Sequence, residues 1–328
     1  MSQQGGLSIC AVEAEDLSWR ELLACSPWAC LFHEPSFLAY HPQGRFHWHH
    51  LIAIHEGQPI ALIPGGVAAK DGRKLFRSPL GASFGGPVLA PHLGAEDVLA
   101  LLSALTSYAK AEGWAGIELT PPPAIYRADA SDTLGFALQA SGFALASRML
   151  CSALPLNSKA PRYQTLYRTR NATKTRAAQR AGIETVIGGR DLMDEFTVVL
   201  NATYQRHGVA PTHTLDELND LIARMPERFS IALARHEGLP VAGLFLMKMN
   251  ERVENAFYIC RTTEDARLNA SLALFALVID RLGDADVAML DLGPSSMPDG
   301  SLNHGVCFFK EGIGAIGYSR DRWAWSAA

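Results

Sequence analysis

The sequence predicts an α/β protein of two tandem domains, each with a mixed sheet, related to one another by an internal repeat. Three observations predict this. Residues 52–61 read IAIHEGQPIA and residues 233–242 read LARHEGLPVA. Both set an apolar run, a His-Glu-Gly turn and a Pro-led apolar run in the same order, which is a hairpin pattern. Each hairpin then leads, through a further extended stretch, to an apolar helix closed by glycine. These helices are expected at Ala95 to Glu112, before Gly113, and at Ala270 to Leu282, before Gly283. Finally, a short apolar strand follows each helix, GIELT at 116–120 and AMLDL at 288–292. A whole series of matches in one order marks a duplicated unit. The expected domains are 1–157 and 158–328, joined near Leu156 to Pro161, and 328 residues suit two domains of ordinary size.

The remaining elements follow in chain order. Phe84-Gly85-Gly86-Pro87 is a glycine-rich loop leaving a strand of the first half, and a tight turn suffices to explain its glycines. The basic stretch RTRNATKTRAAQRAG at 168–182 and the segment Thr203 to His207 both read as helix. The strand ENAFYIC (254–260) and a polar loop precede Asn269, the expected N-cap of the second long helix. After the strand ending at Leu292 comes a loop rich in Gly, Pro and Ser. The run Phe308-Phe309-Lys310-Glu311-Gly312 is then expected to form a closing hairpin, with its lysine either in solvent or, beside glycines that let backbone approach closely, at a ligand.

The composition, 48% hydrophobic and 19% charged, is that of a globular protein. A net charge of −4 gives no global reason to expect nucleic acid or a membrane surface, so such a partner needs a local patch. The six cysteines show no close CxxC pairing and read as free thiols of a reducing compartment. The first 30 residues show no basic start followed by an apolar core. The apolar run Ala270 to Ile279 is far short of the roughly 20 residues that span a bilayer. A cytoplasmic protein without membrane insertion is the expectation. His47, His49 and His50 have no Cys or acidic partner at ligand spacing, which argues against zinc. Ser295 and Ser296 lack the GxSxG frame of a nucleophile elbow.

Two stretches stand out chemically. Between Lys159 and Gly182 lie seven basic residues, including Arg170 and Arg176, and no acidic one. A solvated helix explains them, and so does an anionic ligand such as a phosphate or the backbone of a tRNA. The other stretch is the loop beyond the buried strand ending at Leu292. Loops leaving strand ends are where α/β folds place ligands.

The order hairpin, strand, helix, strand and closing segment resembles the GNAT acyltransferase fold, and its duplication resembles the FemAB-like branch with two such domains in tandem. The resemblance runs from about Pro35 to Ala315. It rests on FGGP at 84–87, the basic stretch at 168–182, TYQRHGVAP at 203–211, and LDLG with FFKEGIGA between 290 and 315. It implies transfer of an activated acyl or aminoacyl group to an amine, with no covalent enzyme intermediate and no cofactor. Acyl-CoA or aminoacyl-tRNA would be the donor. The acceptor would be a small molecule or a cell-envelope precursor of peptidoglycan type. In acetyl-CoA-using relatives a glycine-rich loop holds the pyrophosphate, whereas here Arg267-Leu268-Asn269-Ala270-Ser271 has no glycine. Arg267 and Asn269 are the candidates for that position.

On this reading Lys310 meets a phosphate or a developing oxyanion, and Asp291 orients or deprotonates the amine, or merely caps. Arg170 and Arg176 contact substrate phosphates, and Phe84, Tyr204, His207, Tyr258 and Ser295 line the substrate. Two other functions stay open. One is acyl-CoA-dependent N-acetylation of a small amine; the other is a catalytically degenerate pair that acts as a binding module.

Overall fold

A computed structural model describes residues 6–156 and 162–327, without the side chains of Lys70 and His207. The expected junction between Leu156 and Pro161, the 157/158 boundary and Lys159 therefore lie outside the described residues. The chain divides into two compact units, Met1–Met149 with Ser319–Ala328, and Leu150–Tyr318. Both divisions fall inside strands, Ala144–Pro155 and Ile316–Ser326. The last ten residues belong with the first unit because Trp323 to Ser326 pair antiparallel with Leu119 to Gly116. No sequence pattern near the end of the chain announces that pairing.

The repeated hairpins form as expected. His50–His55 pairs with Gln58–Ile63, and Phe229–His236 pairs with Leu239–Lys248. Both turns place two successive residues in the left-handed region, Glu56 with Gly57 and Glu237 with Gly238. That geometry matches the right-handed twist of the strands, and glycine accepts it without strain. The repeat continues with a parallel pair bridged by a helix in each unit. In the first, Arg73–Ser78 lies parallel to Gly116–Leu119 across the helix Ala95–Ala111. In the second, Val253–Arg261 lies parallel to Met289–Pro294 across Ala270–Asp284. Gly283 does not close that helix; it is buried within it, and Ala285 is the C-cap.

The units differ in how the hairpin joins the rest. In the second unit, strands Glu184–Gly188, Phe229–His236, Leu239–Lys248, Val253–Arg261, Met289–Pro294 and the end of Ala144–Pro155 follow one another as neighbours in one mixed sheet. In the first, the hairpin sits in a separate antiparallel sheet ordered Ser8–Val12, His50–His55, Gln58–Ile63 and Val88–Leu89. The chain leaves it at Pro64-Gly65 before starting Gly66–Lys70. Where one mixed sheet was expected, the first unit thus divides its strands between two sheets. A proline, which cannot donate to a ladder, marks the departure.

Period-two alternation settles the core of the second unit. Ala232, Ala234, Ala242, Leu244 and Leu246 pack with Ala270, Ala273, Leu274, Val278 and Leu282 of the long helix. Phe245 faces the other way, 5.9 Å from Phe196 on the helix Met193–His207. The strand Leu239–Lys248 is thus covered on both faces, which explains its nearly unbroken apolar run. Among the described residues no helix is long and apolar enough to cross a membrane.

The FGGP loop belongs to the frame of the first unit. Phe84 is 2% exposed, with ring centroids 4.9 Å from Phe32 and 4.6 Å from Tyr126, so it is core and not a substrate-lining residue. Nε2 of buried His33 donates to the Gly85 carbonyl (3.2 Å), with burial pushing this imidazole down to about 4. The Ser78 hydroxyl donates to the Pro64 carbonyl and accepts from the Gly86 amide (2.8 Å). A side chain at Gly85 would meet that hydroxyl at 2.7 Å, and one at Gly86 would meet Ile63 Cα at 2.8 Å. Ser78→Ala leaves a buried carbonyl and a buried amide without this partner. It is expected to lower unfolding free energy by about 1–3 kcal/mol in urea titrations, and an unchanged midpoint would show that the bridge is dispensable.

Candidate active site

The second parallel pair is short. Val253, Glu254 and Asn255 stand opposite Met289, Leu290 and Asp291, and the pairing goes no further, although both strands continue. On its other side Met289–Pro294 pairs antiparallel with Ala144–Pro155, with an irregularity between Asp291 and Pro294. Backbone freed from a ladder needs other partners. Here a side chain supplies them.

That side chain is Lys310. It lies on a helix, His304–Gly312, and not on the expected hairpin, and it is 3% exposed. The helix begins at Asn303, whose side chain accepts from the Val306 amide (3.2 Å). In the first unit the matching segment is also a helix leading to a strand, Thr133–Ala140 before Ala144–Pro155, so the repeat extends this far. Lys310 Nζ donates to the carbonyls of Gly293 (2.9 Å) and Pro294 (2.6 Å). Burial lowers its pKa to about 8, against the opposing attraction of Asp291. An ammonium has three donors. These two carbonyls are its acceptors among the described residues, so one of its three N–H groups has no acceptor there.

Asp291 is 3% exposed and accepts from the Gly293 amide (2.8 Å), the Tyr318 hydroxyl (2.7 Å) and Asn255 Nδ2 (2.8 Å). A carboxylate held by three donors is fixed in place. Its geometry suits orienting the loop and balancing Lys310. Ser295 completes this corner of the sheet: it is fully buried, its hydroxyl 2.6 Å from that of Ser152, and its amide bonds the Leu150 carbonyl (2.7 Å). It holds the loop and does not face outward. Asn255 and Tyr318 were missed in the sequence because they reach Asp291 across 36 and 27 residues.

The other expected residues sit elsewhere in the second unit. Tyr258 is buried, its hydroxyl 2.7 Å from His213 Nδ1 and accepting from the His213 amide (3.2 Å), and burial raises its pKa. Tyr204 packs 6.1 Å from that ring. The His207 side chain lies outside the described residues. Arg170 and Arg176 are exposed on the helix Thr169–Arg180, and neither meets a carboxylate among the described residues. Arg168 there pairs with Glu311 at 3.3 Å.

The helix start expected to take a pyrophosphate carries a carboxylate. Asn269 adopts the left-handed region (φ 55°) and its side chain makes no capping bond. Asp265, 4% exposed, does so instead: its Oδ1 accepts from the Ser271 amide (2.6 Å) at the start of the long helix. Arg267 is exposed beside it. A helix N-terminus attracts anions through free amides. With a carboxylate on this one, these residues do not fit a pyrophosphate. Asp265 was visible in the loop RTTEDARLN, but nothing local showed that its side chain folds back onto the helix.

Residues 164–301 match the family model described as "Acetyltransferase (GNAT) domain". A search of the curated proteins finds no match. Among solved structures the chain is similar to FemX, at 12% identity over 98% of this chain and 97% of that one, with a TM-score of 0.73. It is also similar to L-PGS from Bacillus licheniformis, at 13% identity over 99% and 94%, with a TM-score of 0.59. A tandem GNAT protein from the clavulanic acid biosynthesis pathway aligns at 14% identity over 98% and 99%, with a TM-score of 0.56. The chain therefore has a tandem GNAT fold, with residues 164–301 matching the GNAT domain model.

The buried ammonium has a measurable signature. Its pKa is about 8 in the folded protein and 10.5 as the reference for the unfolded chain, so between these values the unfolded state binds the extra proton. Stability contributed by this group therefore rises with pH across that window. The unfolding free energy of wild type relative to Lys310→Met is expected to rise by roughly 1 kcal/mol per pH unit between about pH 8 and 10. A flat difference would place Lys310 in solvent.

Proposed function

We propose that this protein transfers an aminoacyl group from an aminoacyl-tRNA to the amine of a small-molecule or envelope-precursor acceptor, with Lys310 at the reacting centre. The observation that supports this most is the buried Lys310 ammonium at the end of the parallel strand pair, with one N–H unspent. The acceptor amine attacks the ester carbonyl, the carbonyl oxygen gains negative charge, and the ester C–O bond breaks as the tetrahedral species collapses. The amine loses a proton and the departing hydroxyl gains one. Lys310 stabilises the oxygen while it is charged, and such a contact in a dry site is worth several kcal/mol to the transition state. Asp291, tied by its three donors, positions the loop that holds Lys310.

The choice of donor follows from two features. Asp265 occupies the helix terminus that a CoA pyrophosphate needs. Arg170, Lys174, Arg176 and Arg180 lie along a helix with no acidic residue, and a polyanionic donor offsets their mutual repulsion. The similar structures include one whose name mentions AcCoA, the tandem GNAT protein, and others named FemX and L-PGS. The local geometry favours the aminoacyl donor.

Three outcomes test this. Lys310→Gln is expected to lower transfer from aminoacyl-tRNA by about a hundredfold or more while the protein stays folded by circular dichroism. Full activity in that variant places the reacting centre elsewhere. Acetyl-CoA is expected to give no saturable heat in calorimetry; micromolar binding that is lost in Arg267→Ala would restore the acyl-CoA reading. Arg170→Ala and Arg176→Ala should each weaken tRNA binding and reduce the slope of log K against log salt by about one. Unaltered slopes would remove these two side chains from the donor site.

A further inference from the structure

The first unit holds a polar cavity of its own, and none of the residues around Lys310 contributes to it. Its volume is about 220 Å³, and its lining includes Arg77, Glu118, Thr120, Ser147, Arg320 and Arg322. Sheet geometry puts them together. Arg77 stands beside Glu118 in the parallel ladder, and Ala324 stands opposite Glu118 in the antiparallel one. Because side chains alternate along a strand, Arg322 and Arg320 share the face of Ala324 and Glu118. The apolar partners Phe76, Ile117 and Leu119 are buried on the opposite face.

The charges do not balance. Three arginines and one glutamate line the cavity, a net charge of +2. Glu118 is taken by Arg77 at 3.0 Å. Arg322 Nε donates to the Ser147 hydroxyl (3.3 Å), and Arg320 Nη2 is held against the Met149 thioether (3.3 Å), a weak acceptor. Among the described residues neither of these two meets a carboxylate. The neighbouring acid on the same strand, Asp321, is held by Arg148 through two bonds of 2.7 Å. Guanidinium groups spaced around a cavity with hydroxyls at Thr120 and Ser147 offer the planar forks that match phosphate and carboxylate oxygens. The rim is rigid, since Ser78 and the Gly85 amide (2.8 Å to the Thr120 carbonyl) tie the adjoining loops to the strand ends. The volume falls below the roughly 300–1,000 Å³ of a drug-sized ligand site, so the cavity suits the charged end of a molecule.

We infer that the cavity framed by Arg77, Arg320 and Arg322 is an oxyanion-binding site for the phosphate or carboxylate end of a small molecule. It goes beyond the transfer reaction proposed for the second unit and does not rest on it. The test is calorimetric titration of the full chain at low salt, with no acyl donor present, so it can fail while the transfer reading stands. One arm uses inorganic phosphate and glycerol 3-phosphate, the other succinate and citrate. Saturable binding is expected in at least one arm, and that arm identifies the source of the oxyanion. The double variant Arg320→Gln/Arg322→Gln should weaken it at least about tenfold, and each single variant should weaken it in part. Arg148→Gln removes one cation near the site without touching the cavity and should change affinity by less than about twofold. Thermal unfolding of every variant confirms that it is folded. Absence of saturable binding in both arms, an undiminished affinity in the folded arginine variants, or an equal loss in Arg148→Gln overturns the proposal.

Discussion

Burying an ammonium is expensive unless dipoles and a counter-charge surround it, and the second unit is arranged to meet that condition at Lys310. The carbonyls of Gly293 and Pro294 turn toward it beyond the point where their strand's parallel pairing ends. Asp291 stands near enough to oppose the desolvation of the charge, and its own oxygens are filled by Gly293, Asn255 and Tyr318. One charged contact thereby ties the helix His304–Gly312 to the end of the sheet. The same contact leaves a lysine whose proton is held less tightly than in water.

This constraint explains the character of the loop between Leu292 and Asn303. Its glycines, prolines and serines are not a flexible lid. Ser295 is buried against Ser152, its amide bonds Leu150, and the Asn303 amide returns to the Ser295 carbonyl (2.9 Å). Polar groups that a sheet would ordinarily satisfy are satisfied here by side chains and turns, so the loop can be irregular and rigid together.

The two units follow one plan but spend their polar faces differently. In the second, the parallel pair ends in a buried lysine, and the helix that follows the strand's partner starts beneath a carboxylate, Asp265. In the first, Gly116–Leu119 leads into Thr120 and three prolines, and the charged residues gather on the solvent-side face of the sheet as arginines. Duplication preserved the order of elements because that order is written in apolar periodicity. The chemistry diverged because it depends on single polar positions that the core does not constrain.

The residue pattern alone determined the duplicated α/β plan. His55-Glu56-Gly57 and His236-Glu237-Gly238 fix tight turns, the apolar runs fix strands and long helices, and these signals act within a few residues of one another. It also singled out Lys310, Asp291 and the basic helix as polar groups worth notice. Their settings were decided by contacts between distant segments. Lys310 read as a residue of a closing hairpin, yet it lies on a helix that packs so that Nζ reaches carbonyls 16 and 17 residues away. Phe84 sat in a loop sequence but fills the core between Phe32 and Tyr126. Asn269 was placed to cap a helix that Asp265 caps from the preceding turn. The cluster of Arg77, Arg320 and Arg322 had no sequence signature, since the last strand returns to the first unit from the far end of the chain. Local patterning sets which elements form; burial and pairing across long separations set which side chains meet, and a site is made of such meetings.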